Sequence, residues 1–343
     1  MKAVYFERFG GPDVLTFGDR PAPSPKPGEA QVRVRACGIN HLDLWVRAGI
    51  KGLEPEMPHI LGNDVVGEIT ELGAGVTHLS VGAKTLVNPT LSCGHCAACA
   101  TGDDNLCRSY DVLGRRRNGG YAEFVSVPAV NCLPFPERLS WEQAAAVPLV
   151  FLTAWHMLVT RARVADGETV LAWGIGGGVA LAAVQVAAHA GARVIATSSS
   201  DAKLAVARRY GAAETLNHER EDVVARVREL TASRGADIIV DSVGAPTWQR
   251  STRLLRRGGR LVTCGATGGP HVEIDLRRLF WHQWSLLGST LGSPDDYREI
   301  VRLAGEGMLW PHVDRVVPFD DAIEAYRHLA RGEQTGKVVI DLG

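Results

Sequence analysis

Thr169-Val170-Leu171-Ala172-Trp173-Gly174-Ile175-Gly176-Gly177-Gly178-Val179-Ala180 runs from an apolar stretch through a cluster of glycines into small apolar residues. The pattern predicts a strand over 169–173, a turn, and a helix over 179–190. Gly174 permits the tight reversal, Gly177 lets backbone approach a pyrophosphate, and Ala180 lets the helix pack on the strand. Gly176, Gly178 and Val179 complete the turn. The first N–H groups of the helix and its partial positive charge would face the phosphates. The strict Gly-x-Gly-x-x-Gly spacing is not met, so a plain glycine-rich connector stays open as the alternative. The elements on either side of the turn favour the dinucleotide reading.

Further along, the residues predict a strand at 193–197, a helix at 202–210, a strand at 237–241, a helix near 248–255 and a strand at 260–264. Strands alternating with helix-sized segments indicate a parallel sheet covered on both faces. The end of the second strand bears on cofactor choice. An acidic residue there would hold a ribose 2′-hydroxyl, whereas a 2′-phosphate needs donors and cations. Ser198 occupies that place, Ser199 follows, and Lys203 lies one helical turn on. This favours NADPH over NADH. Ser200 or Asp201 would cap the helix in either case. Gly265, just past the last strand, joins the cofactor-facing set.

The first half of the chain reads differently. Apolar runs at 2–6, 31–37, 65–72, 84–88 and 121–127 alternate with Gly and Pro, and Pro21–Pro27 reads as an extended connector. Strands without regular intervening helices suggest a mostly antiparallel, barrel-like domain. With 343 residues and roughly 150 per domain, two domains are expected. We place them at 1–150 and 151–293, with 294–343 returning to the first. A net charge of −1 argues against a protein held to nucleic acid or acidic membrane by its overall field. The longest mostly apolar window, 144–159, contains Pro148 and His156 and falls short of the ~18 residues of a spanning helix. A soluble, cytoplasmic protein is the expectation.

Cys93, Cys96, Cys99 and Cys107 give the spacing C-x2-C-x2-C-x7-C within a lobe at 88–110. Four thiolates can wrap one tetrahedral zinc with no open position, which is a structural site. The rival is an iron–sulfur cluster, but the bacterial ferredoxin run has three residues before its fourth Cys and a Pro after it. Here the gap is seven and Arg108 follows. Loose thiols are the third reading.

Together these features resemble the medium-chain dehydrogenase/reductase superfamily, which includes zinc alcohol dehydrogenases and zeta-crystallin-like quinone oxidoreductases. The likeness runs from Met1-Lys2-Ala3-Val4 to Gly336-Lys337-Val338-Val339 and includes Gly120-Tyr121-Ala122-Glu123-Phe124 and Leu152-Thr153-Ala154-Trp155. It implies an α/β architecture: a doubly wound parallel dinucleotide-binding sheet plus a GroES-like, mostly antiparallel β-barrel domain. It also implies a homodimer, through the sheet edge near 284–290, and places Thr153 against the nicotinamide. The zinc alcohol dehydrogenases carry a second, catalytic zinc on two cysteines and a histidine. At the matching positions this chain has Asn40, Asn63 and Leu149. Neutral amides are poor zinc ligands and Leu is none. Only Asp64, beside Asn63, could ligate.

The chain thus keeps the structural zinc motif and lacks the catalytic one. A metal electrophile stabilises charge on a single alcohol or ketone oxygen. Without it, hydride delivery to a conjugated C=C or a quinone is easier, since the charge spreads. Asn40, Asp43, Arg47 and Gly49 match a stretch of the quinone oxidoreductase and enoyl reductase branches, with Lys51 where many members have Tyr. Asn40, His41, Lys51 and Asp64 are the candidates for substrate polarisation or proton transfer. His41 could equally pack beside cofactor or backbone, and Asp43 reads as structural. Arg115-Arg116-Arg117 would either meet an anionic substrate tail or form a solvated loop. The expected function is an NADPH-dependent reductase of a small-molecule acceptor. The rivals are an alcohol dehydrogenase whose metal uses Asp64, His41 and water, and a non-catalytic NADPH-binding sensor.

Overall fold

A computed structural model describes residues 1–343, which form two compact units, Met1–Leu149 with Ser293–Gly343 and Val150–Gly292.

The first unit is organised by one long strand, Glu29–Ile39, whose alternating apolar residues feed the core. Along one edge it pairs antiparallel with Asp64–Leu72, setting Gly38 opposite Asp64. On its other edge it takes Phe124–Pro128 over its first half and Lys337–Asp341 over its second, with Val338 opposite Ile39. Three distant pieces of chain therefore meet where this strand ends. Gly38 is required there. A Cβ on it would collide with the Ala145 carbonyl oxygen and press on Asp64 Oδ2, 3.0 Å away. Lys84–Val87 and Cys132–Pro134 extend the sheet beyond Asp64–Leu72, and Val313–Pro318 lies parallel to the last strand. A smaller antiparallel sheet joins Lys2–Phe6 to Thr16–Asp19 and to His59–Ile60.

This unit is less purely β than its sequence suggests. Helix His41–Ala48 leaves directly from the end of the long strand, and helix Pro294–Glu306 begins at a capping box built by Ser293 and Asp296. Apolar alternation before residue 40 concealed the first. Its signal is the pair Asn40 and Asp43, spaced as cap and third helical residue.

The second unit is a six-stranded parallel sheet. Its strands are Thr169–Ala172, Arg193–Ser198, Ala212–Asn217, Ala236–Val240, Leu255–Thr263 and Ser285–Gly288, in spatial order 3-2-1-4-5-6. That is the doubly wound dinucleotide order, whose direction reverses between the first and fourth strands. The glycine turn after Ala172 and the segment Asp241–Gly244 both lie at this reversal. The strand Ala212–Asn217 and helix Val223–Leu230 add to the elements read from sequence.

One expectation is corrected. The apolar window around 144–159 belongs to a helical run, Trp141–Arg161, of 21 residues, long enough to cross a membrane. Of its most apolar stretch 78% is buried inside the protein, as in a core helix.

Candidate functional site

The three elements that meet at the end of strand Glu29–Ile39 bring Asn40, Asn63, Asp64 and Lys337 into one buried hydrogen-bonded cluster. Lys337 Nζ donates to Asp64 Oδ2 at 2.8 Å, to Asn40 Oδ1 at 2.6 Å and to the Ile39 carbonyl at 2.7 Å. Asn40 Nδ2 donates to Asp64 Oδ2 and to Asn63 Oδ1, both at 2.7 Å. The second carboxylate oxygen of Asp64 accepts the Leu149 N–H at 2.8 Å. The Lys337 side chain is 4% exposed and that of Asp64 is fully buried. Buried ions need this degree of satisfaction.

Asp43 closes the cluster from the helix. Its Oδ2 accepts from the Asn40 N–H and from Tyr121 Oη, each at 2.8 Å. Its Oδ1 accepts from the Gly62 N–H and Asn63 Nδ2 at 3.2 Å. Burial pushes the Asp43 carboxyl up to about 6, against the pull of the Asn40 and Tyr121 donors. The folded chain therefore binds this proton more tightly than the unfolded one, and the group's contribution to stability falls as pH rises from about 4 through about 6. Its role is structural, as the sequence reading of Asp43 expected.

The four candidates for chemistry separate here. Asn40 and Asp64 lie inside the cluster with their polar atoms engaged. Lys51 lies exposed in the turn after Gly49, away from these contacts. His41, at the start of the helix, is half-buried and makes no hydrogen bond within the protein; its ring lies 6.5 Å from that of Trp45. Burial and then the Lys337 charge lower its pKa from the ordinary value, so the imidazole is neutral at pH 7. Lys337 is the residue that sequence reasoning missed. Of the three consecutive arginines, Arg115 pairs with Asp111 and Arg117 with Glu29, both at 2.8 Å, while Arg116 is exposed. Cys37, early in the candidate metal stretch, is buried in the hydrophobic core with its thiol pushed up by burial.

Both carboxylate oxygens of Asp64 are engaged by donors within the protein, and its neighbours Asn40, Asn63 and Leu149 offer two amides and an aliphatic group. This donor set does not fit a catalytic zinc.

The cysteine lobe does fit one. Its four Sγ atoms lie within 4.8 Å of one another. Three of the separations are 3.5, 3.5 and 3.9 Å. A tetrahedron with Zn–S of about 2.3 Å has edges of about 3.8 Å. The backbone N–H groups of Cys93 and Ser109 point at Cys107 Sγ, at 3.4 and 3.3 Å. Those of His95 and Cys96 help lower the Cys93 thiol to about 6, which favours the ligating thiolate.

In the second unit the glycine turn has the form a phosphate site needs. Gly174 adopts φ +71°, open to glycine, and the Ile175 N–H bonds the Thr197 carbonyl at 2.8 Å. Gly177 caps helix Gly178–His189, which begins one residue before Val179, and Ala180 is buried behind it. Lys203 reaches back over the turn: a Cβ built on Gly176 would lie 3.1 Å from Lys203 Nζ. Ser198 is buried and accepts the Ser200 N–H at 3.2 Å, while Ser200 caps helix Asp201–Arg209. Ser199 precedes that cap. Asp201, the nearest acid, is paired with Arg220 at 2.6 Å. Gly265 follows strand Leu255–Thr263, its carbonyl accepting from Thr263 Oγ1 at 3.0 Å. Thr153 lies buried in helix Pro148–Trp155.

These two units match known families. The zinc-binding dehydrogenase family matches residues 178–306, and the alcohol dehydrogenase GroES-like domain matches residues 26–137. An NAD-dependent alcohol dehydrogenase of Sulfolobus acidocaldarius is 32% identical over 99% of both chains. The chain belongs to the medium-chain dehydrogenase/reductase superfamily. It is an oxidoreductase with the superfamily's α/β fold and GroES-like domain. Its relatives in this superfamily differ in activity. The human quinone oxidoreductase is 28% identical over 99% of this chain and 97% of its own. A solved NAD-dependent alcohol dehydrogenase superposes with a TM-score of 0.97 at 43% identity, covering all of both chains.

Proposed function

We propose that this oxidoreductase reduces a conjugated C=C bond or a quinone with NADPH, using no catalytic metal. The observation that carries the reading is the engagement of both Asp64 oxygens within the protein. They are taken by Lys337, Asn40 and the Leu149 N–H, so the one carboxylate that could have served as a metal ligand is spent inside the protein. An acceptor whose incoming charge delocalises suits such a site; a plain ketone does not.

Bound NADPH supplies the hydride. The glycine turn holds its pyrophosphate, Lys203 its ribose 2′-phosphate, and Thr153 orients its nicotinamide. His41 is the half-buried polar side chain with no partner of its own. As a neutral imidazole it donates a hydrogen bond to the acceptor oxygen as charge develops there. One zinc, held by Cys93, Cys96, Cys99 and Cys107, braces the lobe and takes no part in the reaction.

NADPH consumption should be measured with quinones, enals and enoyl thioesters, beside NADP+ reduction with a plain secondary alcohol. Turnover is expected with a conjugated acceptor, and His41→Ala should lower kcat by about 100-fold. Chelator-sensitive oxidation of the secondary alcohol would instead favour an atypical metal enzyme. Tight NADPH binding with no turnover would favour a sensor.

Cofactor choice rests on Ser198, Ser199 and Lys203. Relatives are named as NAD-dependent, but here no acid stands free at the end of strand Arg193–Ser198, and a cation overhangs the turn. Lys203→Ala should raise the KM for NADPH about tenfold, the loss of roughly one charge-assisted hydrogen bond, and leave that for NADH nearly unchanged. Equal losses with both cofactors would overturn the NADPH assignment.

The outer edge of the second unit's sheet favours a homodimer. Strand Ser285–Gly288 pairs on one side only. Beside it, helix Leu276–His282 buries none of its residues, leaving Leu276, Phe280 and Trp281 65–67% exposed. An open strand edge flanked by apolar side chains is suited to pairing with a second copy across a twofold axis. Light scattering should give twice the chain mass, falling to one chain on Trp281→Arg with Phe280→Glu. A wild-type monomer at micromolar concentration would refute this.

A further inference from the structure

We infer that Lys337 is the positioning residue of this site and its resident cation, the group that fixes the helix carrying His41. The inference deepens the reading above by naming what sets the acceptor-side geometry. An ammonium can only donate, so Lys337 forces Asn40 to turn its carbonyl oxygen toward Nζ and its NH2 group away. That NH2 must then find acceptors, and it meets Asn63 Oδ1 and Asp64 Oδ2. With its oxygen occupied, Asn63 turns its own NH2 to Asp43 Oδ1. The hydrogen bonds run one way, from Lys337 through Asn40 and Asn63 to Asp43, and each polarises the next.

The chain ends on the helix that carries His41. Asp43 accepts the Asn40 N–H, the amide at the cap of helix His41–Ala48. The same cation that orients the amides therefore anchors the first turn of that helix, with His41 as its first residue. Lys337 comes from the far end of the sequence and is held in register by the pairing of Val338 with Ile39. Its ammonium is spent on Ile39, Asn40 and Asp64, so it touches no substrate and acts through others. It also places a fixed positive charge beside the positions at which zinc-bearing relatives are expected to hold metal ligands. Of the charged groups in the cluster, Lys337 is the one whose charge bears on the His41 imidazole.

The test uses the full-length, zinc-loaded protein and three forms: wild type, Lys337→Arg, and Lys337→Met combined with Asp64→Asn. The double variant removes both charges together and leaves neither ion alone. The first readout is the His41 imidazole titration by NMR with no cofactor or acceptor present, so it does not depend on the proposed reaction. The midpoint should rise in the double variant and stay near wild type in Lys337→Arg. The second readout is turnover of the best acceptor. The double variant should lose at least tenfold in kcat with the KM for NADPH unchanged, and Lys337→Arg should recover most of it. A double variant that folds and keeps both the wild-type His41 titration and the wild-type kcat would overturn the inference. If wild type turns over no acceptor, the reductase reading fails by itself and the His41 titration alone decides the role of Lys337.

Discussion

Asp64→Asn is expected to destabilise the first unit by about 3 kcal/mol, near the lower end of the cost of breaking a buried ion pair from one side. The change is nearly isosteric, so packing is kept and the charge is what is lost. Two penalties combine. The Lys337 ammonium loses its counter-ion while still 4% exposed. The new amide must also put its NH2 toward either Leu149 N–H or the donors Lys337 Nζ and Asn40 Nδ2, facing donor with donor. In a unit of this size the melting temperature should fall by about 10 °C. Adding Lys337→Met should cost less than the sum of the two single changes, since the double variant strands no charge. A single variant within about 0.5 kcal/mol of wild type, or strictly additive losses, would show that the pair carries no coupling and that water reaches it.

What the sequence revealed, and what it hid, follows from how local each feature is. The glycine turn is written in twelve consecutive residues, and strand, turn and helix lie where that stretch put them. The cysteine lobe is equally local, and its four thiols converge as their spacing suggests. Helix His41–Ala48 was legible only as a cap, Asn40 with Asp43, inside a region whose apolar alternation read as strands. Lys337 was not legible at all. It stands 273 residues from Asp64, and its place in the site is set by an antiparallel register that no local pattern announces. Asn40 and Asp64 illustrate the remaining gap. Residue type marked both as candidates for chemistry, yet their availability depends on partners that only the fold supplies. His41 stands apart from them for the same reason, because nothing in the fold occupies its ring nitrogens.

Removing the metal from the cysteine lobe is expected to produce the largest change of all. Helices Ala97–Ala100 and Asp104–Leu106 bury no residue, and Leu106 is exposed. Apolar burial therefore contributes little to this segment, and four sulfurs at tetrahedral spacing must hold it. Apparent binding free energies for structural zinc are about 10–16 kcal/mol in small domains, so loss of the ion should unfold the lobe outright. Wild-type protein should carry one zinc per chain by metal analysis. Cys107→Ser should carry less, melt lower, and be cut by protease between Cys93 and Cys107. Cys107 is the informative position because it is buried and receives two backbone N–H groups, so its loss leaves donors as well as the metal unsatisfied. A strong chelator should lower the melting temperature and turnover together, because the lobe rather than the chemistry depends on zinc. Two zincs per chain, with the second removed at unchanged melting temperature and turnover abolished, would place a metal in the reaction and refute the metal-free mechanism.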